Sequence, residues 1–160
     1  MARVHHGQAD WMCYHITTRT ADQRFYLGRP EEKQRILSAL AFYRRRGRYR
    51  IFGFVVMSNH VHVLLQPDCG QHVGDILRDF KAWTSRQNTS KPRGAPLWER
   101  RYDDNEIHST RELRHVLVYI HNNPVRAGLA PTAESYPWSS VHNYLDDGRQ
   151  VIEVDADWWR

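Results

Sequence analysis

The sequence predicts an α+β protein in which helices pack on an antiparallel sheet of ferredoxin-like layout. Its hydrophobic patterning gives the element order β-α-β-β-α-β-α. Four strands with two crossover helices are typical of that layout, and the third helix is an addition to it. Two apolar strands, at 50–57 and 61–66, are separated by a short polar turn at 58–59. This pattern indicates a hairpin at the middle of the order.

The first strand and first helix precede that hairpin. Residues 11–18 are rich in aromatic and β-branched side chains, which favour a strand. A helix is predicted over 30–46, because Pro30 suits a first turn and apolar residues follow with a helical period. Gly47 is expected to end this helix.

The second half of the chain predicts a helix, a strand and a further helix. Apolar residues at helical spacing indicate a helix over about 72–88, and a strand is expected over 97–107. Ser109 then fits the first position of a capping box. The helix that it opens is expected to distort or stop near Asn123, because a residue that precedes a proline avoids the α region.

The length of 160 residues is typical of one domain. A short helix over about 137–144 is expected to close the predicted domain, which spans 1–145. Residues 146–160 are then a C-terminal tail. No internal repeat or low-complexity segment divides the chain further.

The composition favours a cytoplasmic protein that does not enter a membrane. No apolar run approaches the roughly 20 residues that span a bilayer. Residues 1–7 lack the apolar region of a signal peptide. Cys13 and Cys69 are the only cysteines, which is too few for a disulfide framework.

Charge and aromatic content point to nucleic acid. The formal net charge is +5, and twenty of the 23 basic residues are arginine, whose planar fork suits phosphate groups. Six tryptophans and eight tyrosines accompany them. The candidate phosphate contacts form a cluster, Arg44, Arg45, Arg46, Arg48 and Arg50, and a second group, Arg100, Arg101 and Arg126. The alternative for the cluster is a solvated helix end.

Two histidines in the hairpin are candidate metal ligands. His60 and His62 are two residues apart on a predicted strand, so their side chains point to the same face. Imidazole is a common ligand of transition metals, and this spacing supplies two ligands. The alternative interpretation is a pair of half-exposed histidines on the face of a sheet.

A tyrosine and an asparagine on the third helix complete the candidate site. Tyr119 and Asn123 are four residues apart and therefore share one helix face. A phenol brought to a metal-polarised phosphate can act as a nucleophile, and the Asn123 carbonyl oxygen can be a third metal ligand. Alternatively, Tyr119 is a core or edge aromatic, and Asn123 is a helix C-terminal residue.

The chain resembles a known family. The segments MSNHVHVLL at 57–65 and YIHNNPVRAGL at 119–129 are similar to the two signatures of the REP-associated tyrosine transposases. These proteins are a branch of the HUH single-tyrosine transposases. Further similarity lies at 14–19, 96–102 and 136–140, in the same order and at matching spacing.

This resemblance implies an HUH endonuclease-type fold and a specific chemistry. Such proteins bind single-stranded DNA that folds into a palindromic hairpin, cut beside it and form a 5′-phosphotyrosyl bond. By this resemblance Tyr119 matches the nucleophile, His60 and His62 match the paired metal ligands, and Asn123 matches the third ligand. Mg²⁺ or Mn²⁺ is the expected cofactor.

The sequence therefore predicts a transposase, a metal-dependent nuclease and strand transferase for hairpin-containing single-stranded DNA. It is expected to work at the bacterial nucleoid as a monomer or a homodimer. Two alternatives remain open at this point. One is a non-catalytic hairpin-DNA-binding protein that retains the fold. The other is a metal-dependent hydrolase that uses water, in which Tyr119 is structural.

Overall fold

The computed structural model describes residues 12–159, and within that range the elements follow the predicted order. The strands are β1 (Cys13–Arg19), β2 (Tyr49–Val56), β3 (His60–Pro67) and β4 (Asp103–Ile107). The helices are α1 (Pro30–Arg45), α2 (Val73–Gln87), α3 (Thr110–Arg126) and α4 (Val141–Leu145). Short 3₁₀ turns occupy Ala21–Gln23, Ala133–Ser135 and Asp157–Trp159. The expected strand residue Trp11 and the segment 1–7 lie outside the described residues.

The four strands form an antiparallel sheet in the order β2-β3-β1-β4, which confirms the α+β class and the ferredoxin-like layout. The predicted hairpin is formed by β2 and β3. Along the central pair of strands, Thr17 of β1 lies opposite His62 of β3, and Arg19 lies opposite His60. The end of β1 and the start of β3 therefore meet at the same end of the sheet.

Different helices cover the two faces of the sheet. Val61, Val63 and Leu65 of β3 point to one face, where α1 and α2 bury them. His62 and Leu64 alternate with them and point to the opposite face, on which α3 packs. The period of two in β3 thus separates an apolar core from a face that carries a histidine.

Helix α3 approaches the sheet closely at Gly53. A Cβ atom at this glycine would lie 2.4 Å from Leu117 Cδ1 and 3.3 Å from Ser140 Oγ. Ser140 Oγ in turn accepts a hydrogen bond from the Phe54 amide (2.9 Å) and is hydrogen-bonded to His121 Nε2 (2.7 Å). These contacts fix the distance and the rotation of α3 relative to β2.

The prediction of a strand over 97–107 is correct only for its last five residues. Upstream, the Glu99 amide bonds to the Arg19 carbonyl (2.9 Å). The backbone pairing with β1 is then interrupted, and it resumes only where β4 begins at Asp103. Lys81 Nζ donates to the carbonyls of Glu99 (2.9 Å) and Arg101 (3.3 Å), and these carbonyls turn toward the ammonium group instead of the neighbouring strand.

The sequence predicts that the third helix distorts or stops near Asn123, but α3 continues through Pro124 to Arg126, so it does not stop there. Proline removes one backbone donor, and here its ring is buried against the rest of the protein. The Leu129 amide bonds to the Pro124 carbonyl (2.8 Å), and Gly128 adopts a φ of +72° that closes the helix end. The additional turn keeps Arg126 on the helix.

The last predicted helix, over 137–144, begins later than expected, as α4. The residues before it extend the sheet edge instead. The Val56 amide bonds to the Trp138 carbonyl (2.8 Å), and the Ser140 amide bonds to the Phe54 carbonyl (3.0 Å). The edge strand β2 is covered in this way, which satisfies its backbone groups.

The C-terminal segment lies along the other half of the β2 edge. The Asp155 amide bonds to the Ile51 carbonyl (2.7 Å), and the Asp155 carboxylate accepts from the Ile51 amide (2.9 Å). The division between a domain at 1–145 and a tail at 146–160 stays a prediction. Among residues 12–159, no helix is both long enough and apolar enough to cross a membrane.

Candidate active site

A cleft of about 260 Å³ opens at the end of the sheet where β1 ends and β3 begins. Its lining combines side chains from both strands, from the loop after β1 and from α3. The lining residues are Thr17, Arg19, Gln23, Asn59, His60, His62, Tyr119 and Asn123. A second cleft, of about 250 Å³, has none of the four predicted metal-binding and nucleophilic residues in its lining.

The histidine pair lies in this cleft. His60 and His62 point to the same side of β3, with ring centroids 4.9 Å apart and ring planes nearly perpendicular. His60 Nδ1 donates to Asn59 Oδ1 (2.7 Å), since a carbonyl oxygen can only accept. The Asn59 amide nitrogen faces the Gln23 carbonyl (3.4 Å), which fixes this orientation. His60 therefore carries its proton on Nδ1 and its lone pair on Nε2.

Both histidines are held in the neutral form. Burial lowers the pKa of His62 to about 3, and the charges of His60, His15 and nearby arginines act in the same direction. Burial also lowers the pKa of His60, with Arg19 adding to the effect and a hydrogen bond to Asn123 opposing it. A neutral imidazole is the form that binds a metal ion, so both rings can act as ligands at neutral pH.

Helix α3 brings Tyr119 and Asn123 to the histidine pair. Asn123 Nδ2 donates to His62 Nε2 (3.2 Å), and the Tyr119 ring centroid is 6.0 Å from that of His62. Tyr119 is about half exposed (48%) and lines the cleft. Arg126 places its guanidinium carbon 4.1 Å from the Tyr119 ring centroid.

The donor set of the cleft fits a divalent metal ion. His60 and His62 offer neutral imidazole nitrogens, and rotation of the Asn123 carboxamide would present its oxygen in place of its nitrogen. Within residues 12–159, no group of three or more His, Cys, Asp or Glu side chains is arranged to hold a metal. A third protein ligand would therefore be a neutral side-chain oxygen such as that of Asn123, and the open side of the cleft leaves positions for phosphate or water oxygens.

The arginine cluster lies at the opposite end of the sheet from this cleft, beside the start of β2. Arg44 pairs with Asp155 (3.0 Å) and with Glu153, and Arg48 pairs with Asp79 (3.1 Å). Arg50 likewise pairs with a carboxylate of the C-terminal segment, while Arg45 and Arg46 are exposed. DNA contact by this cluster stays a prediction.

The second group of arginines lies at the cleft end. Arg126 stacks on Tyr119 and also donates to the Tyr119 carbonyl (2.8 Å). Arg100 and Arg101 are exposed and follow Glu99, whose amide bonds to the last residue of β1. Of the predicted DNA contacts, the structure therefore brings these three to the end of the sheet that holds the histidine pair.

Sequence reasoning missed several residues of the cleft. His15 and Thr17 of β1 both contact His62 Nδ1, at 2.9 Å and 3.0 Å. Their spacing of two residues in a predicted strand indicates that they share a face. Only the pairing of β1 with β3 shows that this face carries His62. Trp98, which lies just before Arg100, is buried, and its indole nitrogen donates to Thr84 Oγ1 (2.9 Å).

The chain belongs to the IS200-like transposase family, because the sequence model of that family matches residues 9–123. The REP-associated tyrosine transposase of Escherichia coli K12 is 26% identical over 110 residues, which cover 68% of this chain and 64% of that protein. A Haemophilus influenzae protein that provisionally carries the same name is 28% identical over 98 residues, 54% of this chain and 56% of its own length. The resemblance noted in the sequence is thereby confirmed. The chain matches less than two thirds of the length of either relative.

A solved structure supports the fold. It is described as a REP-associated tyrosine transposase bound to a REP hairpin, and it superposes with a TM-score of 0.73 at 21% identity. The superposition covers 92% of this chain and 88% of the other. At this level of identity the likeness concerns the architecture of the sheet and its helices.

Proposed function

We propose that this protein cuts and rejoins single-stranded DNA beside a hairpin, with Tyr119 as the nucleophile. The observation that carries the proposal is the position of an exposed tyrosine on α3, directly across from two neutral histidines on β3. A tyrosine hydroxyl, a metal-binding pair and an open cleft together suit attack on a phosphodiester.

In the proposed step the Tyr119 oxygen forms a bond to phosphorus while the bond to the 3′ oxygen breaks. The phenol proton leaves to solvent through the open side of the cleft, and the departing 3′ oxygen takes up a proton. One phosphate ester replaces another, so the step needs no ATP and is reversible. Attack by a 3′-hydroxyl from another DNA end then transfers the strand and releases Tyr119.

The remaining residues of the cleft support this chemistry. A divalent ion, Mg²⁺ or Mn²⁺, held by His60, His62 and Asn123 would polarise the scissile phosphate and stabilise the departing 3′ oxygen. Arg126 holds the Tyr119 ring by stacking and places a positive charge beside the proposed nucleophile. Asn59 orients the His60 ring by accepting the Nδ1 proton, so that the lone pair is on Nε2.

The proposed substrate is a single strand that folds into a palindromic hairpin. The relative whose structure is solved is described as bound to a REP hairpin, and the net charge of +5 favours a polyanion. An exposed loop beside the cleft, with Arg24 and Phe25, offers a cation and an apolar ring to an unpaired stretch. The protein would act in the cytoplasm at the nucleoid, as a monomer or a homodimer.

The replacement Tyr119→Phe tests the proposal. It removes one partly exposed oxygen, so the fold should lose about 1 kcal/mol or less. With Mn²⁺ and a hairpin-containing strand, the wild type should yield a protein–DNA adduct that survives denaturing electrophoresis. The variant should bind the hairpin and yield neither adduct nor cut strand. Tyr102→Phe is the matched control, since Tyr102 is partly buried outside the cleft. Cutting by Tyr119→Phe at the rate of the control would favour water as the nucleophile and refute the proposal.

A further inference from the structure

His62 has two neighbours from β1 that the proposed reaction does not use. Its Nδ1 lies 2.9 Å from His15 Nε2 and 3.0 Å from Thr17 Oγ1. Thr17 is directly opposite His62 in the sheet, and His15 is two residues earlier on the same face. Thr17 is buried, and the rings of His15 and His62 have centroids 5.0 Å apart.

The hydrogen bonds define where the proton of the neutral His62 ring resides. On its other side, Nε2 faces the amide nitrogen of Asn123 at 3.2 Å. An amide nitrogen can only donate, so His62 Nε2 carries the lone pair and Nδ1 carries the proton. This N–H points at His15 Nε2 and Thr17 Oγ1, both of which can accept it. His15 then carries its own proton on Nδ1.

We infer that His15 and Thr17 are positioning residues that hold His62 in the tautomer and orientation in which Nε2 faces the cleft. Without them, the His62 ring could protonate on Nε2 or rotate about its side-chain bonds. Either change would remove one of the two imidazole ligands. Partners of this kind, which bond to the far nitrogen of a metal-binding histidine, strengthen and orient the ligand. The inference rests on the proposed function in one respect, that the cleft holds a divalent metal.

The positioning role of His15 and Thr17 can be tested on the full chain without DNA. Mn²⁺ binding would be measured by calorimetric titration for the wild type, His15→Ala, His15→Gln, Thr17→Val and Thr17→Ser. We expect His15→Ala to weaken binding about 10- to 100-fold. Glutamine can place an amide oxygen near the position of His15 Nε2, so His15→Gln should recover part of the loss. Thr17→Ser should bind more tightly than Thr17→Val. His108→Ala is the control, because His108 is exposed and does not line the cleft.

A second measurement does not depend on the metal. Nitrogen NMR of the metal-free protein distinguishes the protonated from the bare nitrogen of each imidazole. In the wild type His62 should be protonated on Nδ1, and in His15→Ala it should become a mixture of the two tautomers. A circular dichroism melt of each variant identifies any that fail to fold. If His15→Ala or Thr17→Val does, the conservative replacement at the same position, His15→Gln or Thr17→Ser, decides whether that residue positions His62.

The two measurements separate failure of the inference from failure of the proposed function. Wild-type affinity for Mn²⁺ together with an unchanged His62 tautomer in His15→Ala and Thr17→Val would overturn the inference. If the wild type binds no Mn²⁺, the metal part of the proposed function fails. The tautomer of His62 in the variants then supports or overturns the positioning role by itself.

Discussion

The guanidinium group of Arg126 covers the ring of Tyr119, with 4.1 Å between the guanidinium carbon and the ring centroid. The same group donates to the Tyr119 carbonyl at 2.8 Å, so the two residues are joined at both backbone and side chain. They are seven residues apart on α3, two turns of the helix, and the contact depends on the continuation of α3 beyond Pro124. A fixed cation therefore lies beside the proposed nucleophile.

The first prediction concerns Arg126→Ala. Loss of the stacked cation should free the Tyr119 ring and lower the rate of adduct formation by tenfold or more, about 1.4 kcal/mol of activation free energy. Hairpin affinity should fall less, and its salt slope should decrease by roughly 0.7 if one phosphate contact is lost. Single-turnover cleavage and binding across a salt series measure both effects. Arg111→Ala, in the first turn of α3, is the control, and an equal loss there would contradict the special role of Arg126.

The second prediction concerns Gly53→Ala, which tests the close approach of α3 to the sheet. The added methyl group would meet Leu117 Cδ1 at 2.4 Å, so α3 must shift. We expect a loss of about 1–3 kcal/mol in the free energy of unfolding by urea, and slower adduct formation because Tyr119 moves with the helix. Gly74→Ala is the matched control, since its nearest contact would be an ordinary 3.6 Å. A helical glycine replaced by alanine should leave the protein as stable or slightly more stable.

The third prediction is a loss of stability in acid that depends on His121. Burial, with the charge of His142 adding to it, lowers the pKa of His121 to about 4. The unfolded chain binds this proton near pH 6.5 and the folded protein only near pH 4, so protonation favours unfolding between these values. The stabilising contribution is complete above pH 6.5 and declines as the pH falls, by on the order of 3 kcal/mol at pH 4.

Urea unfolding from pH 7 to pH 4, for the wild type and His121→Gln, measures this contribution. Glutamine does not titrate, so the variant should show a shallower dependence on pH, with the remaining slope due in part to His62. Parallel curves for the two proteins would mean that His121 is not the group that takes up the proton.

The fourth prediction concerns Phe25, which is 72% exposed. Its loop is well anchored, because Thr20 Oγ1 donates to the Arg24 carbonyl (2.6 Å) and the Leu27 amide bonds to the Ser58 carbonyl (2.9 Å). If an unpaired base stacks on this ring, Phe25→Ala should weaken single-strand binding by about 1–3 kcal/mol. Binding of the paired stem alone should not change. Phe42→Ala, an exposed phenylalanine on α1, is the comparison.

The fifth prediction compares the two groups of arginines. The double variants Arg45→Ala/Arg46→Ala and Arg100→Ala/Arg101→Ala remove exposed charges from opposite ends of the sheet. We expect the larger decrease in salt slope, roughly 0.7 for each lost phosphate contact, for the pair at the cleft end. A larger decrease for Arg45→Ala/Arg46→Ala, at the end of α1, would mean that the DNA binds at the other end of the sheet.

The sequence by itself determined the architecture and the central residues of the candidate site. Local signals were sufficient, since a period of two marked β3 and a helical period with a capping box marked α3. The same periods fixed which residues share a face, and they paired His60 with His62 and Tyr119 with Asn123. Two signatures at a matching spacing then indicated the family.

Only the tertiary structure decided which distant residues meet. The register of β1 against β3 brought His15 and Thr17 to His62, and no local pattern encodes a register between strands 45 residues apart in sequence. Burial of Pro124 and closure at Gly128 overrode the local preference for α3 to distort or stop at Asn123. Arg44 and Arg50 meet carboxylates only because the C-terminal segment returns to β2, and Arg48 meets Asp79 only because α2 packs beside it. In each case the deciding energy comes from contacts between segments far apart in the chain, which a sequence pattern does not contain.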